Sequence, residues 1–209
     1  MLLRVSAPAV LIAGLLAAGC SSGGDEPQAA PTTTAAPSGT VSATGSPTPS
    51  PTPVLPTGCE TLLPFTDLDR ALGRPLFGES RFTKGVAQAS IGRTARVTCQ
   101  YGLGRGGTGV AYVEVGISTY TDAEAAAKRV QATISAARGE GATQGEATVG
   151  GVPATLLGGG KVVTLVLAQG SRTVAVTLQR TLARTLGTGI TLNQATTSVA
   201  EKVLTNLAE

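Results

Sequence analysis

Apolar and polar residues alternate along several segments of this chain, as they do in β-strands that bury one face. In RTARVTCQY every second residue from Ala95 to Tyr101 is apolar, and in GVAYVEVGIST the same holds from Ala111 to Ile117. Three further segments, VPATLL, KVVTLVLAQ and RTVAVTLQR, are also predicted as strands. The short Gly-Ser connection between the last two is typical of a type II′ hairpin.

Helical periodicity appears near both ends of the same region. FTDLDRALG is predicted as a short helix, with Thr66 as N-cap, Asp69 three residues later and Gly73 as the stop. A final helix is predicted from about Gln194 to Leu207, because its large apolar residues fall on one side.

A longer helix is predicted in the middle, over TDAEAAAKRVQATISAARG. Thr121 and Glu124 stand at the two positions of a capping box, and Ala126, Val130 and Ile134 form its apolar stripe. Helices at both ends and in the middle, with hairpins between them, predict an α+β fold. We expect a mostly antiparallel sheet flanked by helices, an α/β/α sandwich.

The amino end has the organisation of an export signal. Arg4 precedes an apolar run from Val5 to Ala18, and small residues follow directly. As a helix, this run extends about 21 Å, whereas the hydrocarbon core of a bilayer is about 30 Å thick. Residues 1–19 are therefore predicted to be a signal peptide and not a membrane span.

The sequence Ala-Ala-Gly-Cys at the end of this segment resembles the lipobox of bacterial lipoproteins, with Ala17 where Leu is commoner. The resemblance implies that Cys20 receives a diacylglycerol after cleavage, so that the protein is held at the extracytoplasmic face of the cell membrane. Two acyl chains on one residue give lasting attachment. The alternative is an ordinary secretory signal that leaves Cys20 as an unpaired thiol.

A polar stretch separates Cys20 from the region with strand and helix patterns. Residues 21–58 contain eight prolines and fourteen serines or threonines. Such a composition cannot bury enough apolar area to offset chain entropy. We therefore predict a disordered linker over residues 20–58, either an unmodified spacer or an O-glycosylated stalk, and one folded domain over residues 59–209.

The two remaining cysteines, Cys59 and Cys99, form an even pair in an exported domain, which predicts a disulfide. The alternation around Cys99 turns its side chain inward, where it can reach Cys59. Two separate buried thiols are the alternative. A zinc site is disfavoured because the chain has no histidine.

The segments GCETLLPFTDLDRALG and VTCQYG, behind a signal, a cysteine and a Thr/Pro-rich linker, resemble an actinobacterial surface lipoprotein family of unknown function. The element order resembles the PsbP-like fold shared by mycobacterial surface lipoproteins and by sensor domains of some receptor kinases. The resemblance covers most of residues 59–209 and implies a non-enzymatic role, with no catalytic residues to carry over. The positions that match are Cys59, Leu62, Leu63, Leu72, Gly73, Cys99 and Tyr101, the last standing where Trp is commoner.

Several kinds of chemistry are disfavoured by the residues present. The absence of histidine argues against Ser-His-Asp catalysis, histidine bases and most catalytic zinc sites. The carboxylate pairs Asp67/Asp69 and Asp122/Glu124 fall in predicted first helical turns, where acidic residues complement the dipole. The glycine-rich YGLGRGGTG precedes a strand and not a helix, so we interpret it as a hairpin loop. We expect no metal ion, no cofactor and no enzymatic activity.

Charge supplies the remaining indication of a binding site. Between Arg74 and Arg105 there are six basic residues and a single acidic one, Glu79. Such a patch can meet anionic lipid headgroups or acidic wall polymers; the alternative is a solvated face that keeps the domain soluble. Nucleic acid is disfavoured because aromatic residues for stacking are few. The predicted anionic-surface patch consists of Arg81, Lys84, Arg93, Arg96 and Arg105.

These observations predict a lipid-anchored extracytoplasmic module that binds or senses an envelope lipid, polymer or protein, or takes part in envelope assembly. Two alternatives remain open. A lipid or glycolipid carrier would need an apolar cavity between sheet and helix. A cell-wall enzyme would need an acidic pair that converges in a cleft.

Overall fold

The computed structural model describes residues 54–208, in which seven strands form one antiparallel sheet. The strands are β1 (Glu79–Gly85), β2 (Arg93–Leu103), β3 (Val113–Tyr120), β4 (Thr143–Val149), β5 (Val152–Gly159), β6 (Val162–Gln169) and β7 (Arg172–Gln179). Their order across the sheet is β1-β2-β3-β7-β6-β5-β4, and every neighbouring pair is antiparallel. The predicted α+β class with a mostly antiparallel sheet is confirmed.

Four α-helices flank this sheet within the described residues. They are α1 (Cys59–Leu62), α2 (Phe65–Leu72), α3 (Ala123–Gly139) and α4 (Leu192–Asn206). Helices α1, α2 and α4 share one hydrophobic core with one face of the sheet, whereas α3 packs on β5, β6 and β7 from the other face. The layers are therefore helix, sheet and helix.

The larger core follows from the alternation in the central strands. Val97, Cys99 and Tyr101 of β2 point to the same side and are at most 3% exposed. Aligned residues of β3, β6 and β7 extend this apolar face, because directly paired residues of antiparallel strands share a face. The helices contribute the other half of this core, chiefly Leu62, Leu68, Leu72, Val199 and Val203.

The other face of the sheet is covered less completely. Its buried apolar cluster consists of Ile134 from α3, Leu157 from β5 and Val166 from β6. Val130 packs against this cluster but is only partly buried. The strands β1 and β2 lie beyond the helix, so their side chains on this face remain at least partly exposed to solvent.

The cysteine prediction is confirmed. Cys59 and Cys99 form a disulfide that joins α1 to β2, with Cα atoms 5.4 Å apart, inside the usual range for such bonds. The hydroxyl of Tyr101 donates to the carbonyl oxygen of Cys59 at 3.1 Å, and the ring of Phe65 packs edge-on against Tyr101. The predicted signal peptide, the lipidation site Cys20 and most of the linker lie outside the described residues.

Two predicted N-caps are wrong, although the helices are present. Helix α2 begins at Phe65 with Pro64 as its N-cap, so Thr66 lies inside the first turn, where its side chain is not at the capping position. Its end is as predicted, at Gly73 with a φ of 70°. Helix α3 is capped by Asp122, which accepts from the amide of Ala125 at 2.7 Å.

The hairpin between β6 and β7 is confirmed. Gln169 pairs directly with Arg172, so two residues make the turn, and Gly170 has the positive φ that its first position requires. Strand β3 begins at Val113, so the predicted strand residue Ala111 precedes it. Helix α4 begins at Leu192, two residues earlier than predicted. Among the described residues, no helix is both long and apolar enough to cross a membrane.

Candidate functional site

A small basic cleft lies on the incompletely covered face, between α3 and the strands β2, β3 and β7. Its volume is about 140 Å³. Three arginines line it, Arg93 and Arg96 from β2 and Arg129 from α3, and no acidic residue does. We call this site the arginine cleft. Its polar uncharged lining residues are Ser118, Tyr120, Thr133 and Thr173.

The side chain of Arg96 lies flat on the sheet because glycines flank it on both neighbouring strands. A Cβ atom at Gly85 of β1 would stand 3.2 Å from the Cβ of Arg96, and one at Gly116 of β3 would stand 3.7 Å from its Nη2. The aliphatic part of Arg96 therefore passes beside Gly85, and its guanidinium lies over Gly116. A Cβ atom at Gly85 would be tight against Arg96, whereas one at Gly116 would be at ordinary contact distance, so at Gly116 only a side chain larger than that of alanine would displace the guanidinium.

A bulge in β2 brings Arg93 to the same cleft as Arg96. Residues three apart in a regular strand point to opposite faces. Here Arg93 pairs with Tyr120 and Ala95 with Thr119, so β2 contains one extra residue at this point. The guanidinium of Arg93 donates from Nη2 to the carbonyl oxygen of Val86 at 3.3 Å, while its buried Nε has no partner in the described part of the chain.

None of the three arginines is paired with a carboxylate in residues 54–208. The ion pairs there are Arg70–Asp67 and Lys128–Glu124. Each guanidinium group offers several N–H donors in planar geometry, which suits a phosphate or a carboxylate. The arrangement can therefore hold an anionic group such as a phosphate or a carboxylate.

The structure divides the basic patch that the sequence predicted. Arg93 and Arg96 line the arginine cleft. Arg81 shares their face but lies towards the β2–β3 loop, its guanidinium close to Gly107. Arg105 lies within that loop. Lys84 pairs with Val97 and therefore faces the opposite side of the sheet.

The four carboxylates considered above do not converge. Asp67 and Asp69 belong to α2, while Asp122 and Glu124 are at the start of α3, on the other side of the sheet. Each has a structural partner: Asp69 accepts from the amide of Leu76 at 2.7 Å, and Glu124 pairs with Lys128. The hydrogen bond from Ala125 lowers the pKa of Asp122. No group of acidic or cysteine residues in the described range is arranged to hold a metal ion.

A second, larger cleft lies on the other flank of α3, with a volume of about 690 Å³. It shares Val130 and Val166 with the arginine cleft, so the two meet beneath the helix. Its lining mixes small apolar residues with polar ones such as Gln131, Gln144 and Glu146. This mixed lining differs from the apolar cavity that a carrier of acyl chains would need.

Sequence reasoning missed Arg129. The available signal was its position just before Val130, whose side chain faces the sheet. Adjacent residues of a helix are about 100° apart, so Arg129 must lie on a flank of the buried stripe. The strand opposite that flank could not be identified from sequence.

No family model matches the chain, and no curated protein is significantly similar to it. Among solved structures, it is similar to the extracellular domain of PknH from Mycobacterium tuberculosis, with a TM-score of 0.44 and 14% sequence identity over 71% of this chain and 94% of that chain. This similar structure is an extracellular domain of a mycobacterial protein. Membership of a lipoprotein family stays a prediction.

Proposed function

We propose that this protein is a lipid-anchored, non-enzymatic binding module outside the cytoplasm, and that its arginine cleft binds an anionic group of an envelope component. The observation that carries the proposal is the meeting of Arg93, Arg96 and Arg129 in one cleft whose lining contains no carboxylate. The ligand class is defined by this chemistry: a phosphate or carboxylate on a polymer, a glycan or a lipid headgroup.

Electrostatics support an anionic ligand. The cleft is lined by three positively charged side chains and no negatively charged one, so its field attracts an anion. Hydrogen bonds to charged groups contribute about 1.5–3 kcal/mol each.

The location is supported by the disulfide. Such bonds persist in oxidising compartments and are rare in the cytosol, and the Cys59–Cys99 bond joins two buried parts of the core. The lipid anchor rests on Cys20 and its surrounding sequence. The mass of the protein extracted from its own membranes tests the anchor. We expect the mass of residues 20–209 plus a diacylglycerol, less two hydrogens for the disulfide.

Charge reversal in the cleft tests the proposed binding site. Residues 21–209 keep the whole described domain and omit both the predicted signal and Cys20. Fluorescently labelled polyphosphate serves as the probe, with affinity measured by anisotropy. We expect Arg96→Glu to weaken polyphosphate binding roughly 10- to 100-fold, because it removes at least one charge-assisted hydrogen bond to the probe.

Lys84→Glu is the matched control. It makes the same change of charge, and Lys84 belongs to the patch that the sequence predicted, but it faces the opposite side of the sheet. We expect less than a threefold effect. Equal losses in the two variants would show that net charge and not the cleft attracts the probe, and no loss in either would contradict the proposal.

A further inference from the structure

A group of exposed apolar side chains lies at the end of the sheet where β2 finishes. Phe77 is 77% exposed, Val110 is 74% exposed and Tyr112 is 42% exposed. Phe77 precedes β1, while Val110 and Tyr112 belong to the loop that joins β2 to β3. We call these three residues the apolar tip.

The segments that carry the tip are fixed to the sheet. The ring of Tyr112 lies over Gly102, where a Cβ atom would stand 2.8 Å from the Cδ2 of Tyr112. The carbonyl oxygen of Tyr112 accepts from the amide of Gln179 at 2.9 Å. Phe77 and Tyr112 line a common cleft of about 210 Å³ together with Leu76. The tip is therefore a defined surface.

Three arginines lie on the segments next to the tip. Arg74 lines the same cleft as Phe77 and Tyr112. Arg184 ends the 3₁₀ turn that forms another wall of that cleft, and Arg105 lies in the same loop as Val110. The acidic residues nearest in the sequence are Glu79 and Glu114. Glu79 accepts from the amide of Gly106 at 3.0 Å, and Glu114 accepts from the side chain of Gln100 at 3.0 Å.

We propose that the apolar tip docks onto a bilayer that contains anionic lipid. Phe77 and Val110 enter the boundary between headgroups and acyl chains, Tyr112 lies at headgroup level, and the arginines contact lipid phosphates. Charge complementarity favours this occupant over a protein. Arginines outnumber carboxylates near the tip, and both neighbouring carboxylates accept hydrogen bonds from within the domain, which suits an anionic surface. The apolar side chains stand on loops whose backbone polar groups remain in the hydrated headgroup layer.

The tip and the arginine cleft lie at opposite ends of β2. This strand has eleven residues, which at about 3.3 Å per residue separate its ends by roughly 33 Å. Docking through the tip therefore directs the arginine cleft away from the membrane. The proposal is independent of the proposed function, since either site can operate if the other does not.

The chain contains no tryptophan, so a single introduced one reports on its own surroundings. The test compares Phe77→Trp with Val86→Trp, both in residues 21–209. Val86 is the matched control, because it is 79% exposed and lies at the other end of β1, where its carbonyl oxygen accepts from Arg93. Tryptophan emission is recorded with vesicles of phosphatidylcholine containing about one third phosphatidylglycerol.

We expect the emission of Phe77→Trp to shift to shorter wavelength on these vesicles, and that of Val86→Trp to stay unchanged. No shift in Phe77→Trp, or equal shifts in both variants, would overturn the proposal. A shift that appears with rising protein concentration in the absence of vesicles would also overturn it, since it would identify a second copy of the chain as the occupant.

Vesicle sedimentation provides a measurement without tryptophan. Phe77→Ala should weaken partitioning roughly 10- to 100-fold, because burying a phenylalanine side chain contributes that much, while Val86→Ala should leave it unchanged. Lys84→Glu, a charge reversal at the far end of β1 from Phe77, should also leave vesicle partitioning unchanged. If Arg96→Glu abolishes it, the arginine cleft and not the tip contacts lipid, and the proposal is wrong.

Discussion

The two faces of the sheet differ in how completely their helices cover them. On one face α1, α2 and α4 enclose a core in which residues such as Leu62, Leu165 and Val176 have no exposed surface. On the other face α3 packs mainly on β6 and β7, and the buried apolar cluster there has three residues. The same strands form both faces. The two faces differ because side chains at alternate positions of a strand point to opposite sides of the sheet.

The two faces of the sheet therefore have different roles. The covered face carries the disulfide and the large aliphatic side chains, which stabilise the fold. The incompletely covered face carries Gly116, Ser118 and Arg96 at positions where the first face has valine or isoleucine. These residues are small or charged, and they leave space and N–H donors for a ligand.

Removing the disulfide should have the largest effect on stability. The double variant Cys59→Ser/Cys99→Ser releases a loop closed over a sequence separation of 40 residues, and the chain-entropy model gives a loss of about 4 kcal/mol. Urea denaturation of residues 21–209 measures it, with polyphosphate binding as the second readout. A loss below about 1 kcal/mol would contradict the assignment of stability to the covered face.

A pair of leucine truncations compares the two faces directly. Leu165→Ala opens a cavity in the large core and should cost about 3–4 kcal/mol. Leu157→Ala, beneath α3, should cost at least about 1 kcal/mol less, since the neighbouring clefts allow the helix to settle. The free energy of unfolding of both variants is measured under the same conditions. Equal losses would mean that the two faces support the fold alike.

Tyr101 should make the free energy of unfolding depend on pH in the alkaline range. Burial raises the pKa of its hydroxyl above the ordinary value, and the charge of Glu60 adds to the rise. The unfolded chain therefore releases this proton first, and stability falls as the pH rises above about 10.

The variant Tyr101→Phe should lack this contribution to the loss of stability at alkaline pH. It should also lose about 1 kcal/mol at neutral pH, from the hydrogen bond to Cys59. Denaturation between pH 7 and 11 measures both effects, with Tyr112→Phe as the exposed control. An unchanged alkaline slope in Tyr101→Phe would show that other groups produce it.

Gly116 should give the smallest effect on stability. In Gly116→Thr the new side chain occupies the space beneath the guanidinium of Arg96, while threonine suits a strand better than glycine. We expect a change in unfolding free energy within about 0.5 kcal/mol and several-fold weaker polyphosphate binding. Full binding in a stable Gly116→Thr variant would show that Arg96 does not need this position on the sheet.

The central strands could be predicted from sequence, but the edge strands could not. In β2 buried residues alternate with less buried ones from Arg96 to Tyr101. In the first half of β3 the apolar residues alternate with Glu114 and Gly116, and both patterns are visible in the sequence. In β1 and β4 nearly every side chain is exposed on both faces, so no alternation remains to be detected. The short α1 was missed as well, because four residues are too few to show helical periodicity.

The candidate site could be predicted in part. The high density of basic residues indicated Arg93 and Arg96, but the bulge that brings them together depends on the pairing of β2 with β3. Recognising β1 would have separated Arg81 from Lys84, since an odd spacing in a regular strand places them on opposite faces. Arg129 joins the cleft through the packing of α3 across the sheet, which is a tertiary contact.

The polar edge strands also affect how copies of the domain behave beside one another. An outer strand with unpaired N–H and C=O groups can pair with the same strand of another molecule. Here β1 presents Arg81 and Lys84 on opposite faces, and β4 presents Gln144 and Glu146. Charged edges of this kind oppose sheet-to-sheet growth. We therefore expect many copies to remain separate when they share one crowded surface, with each arginine cleft accessible.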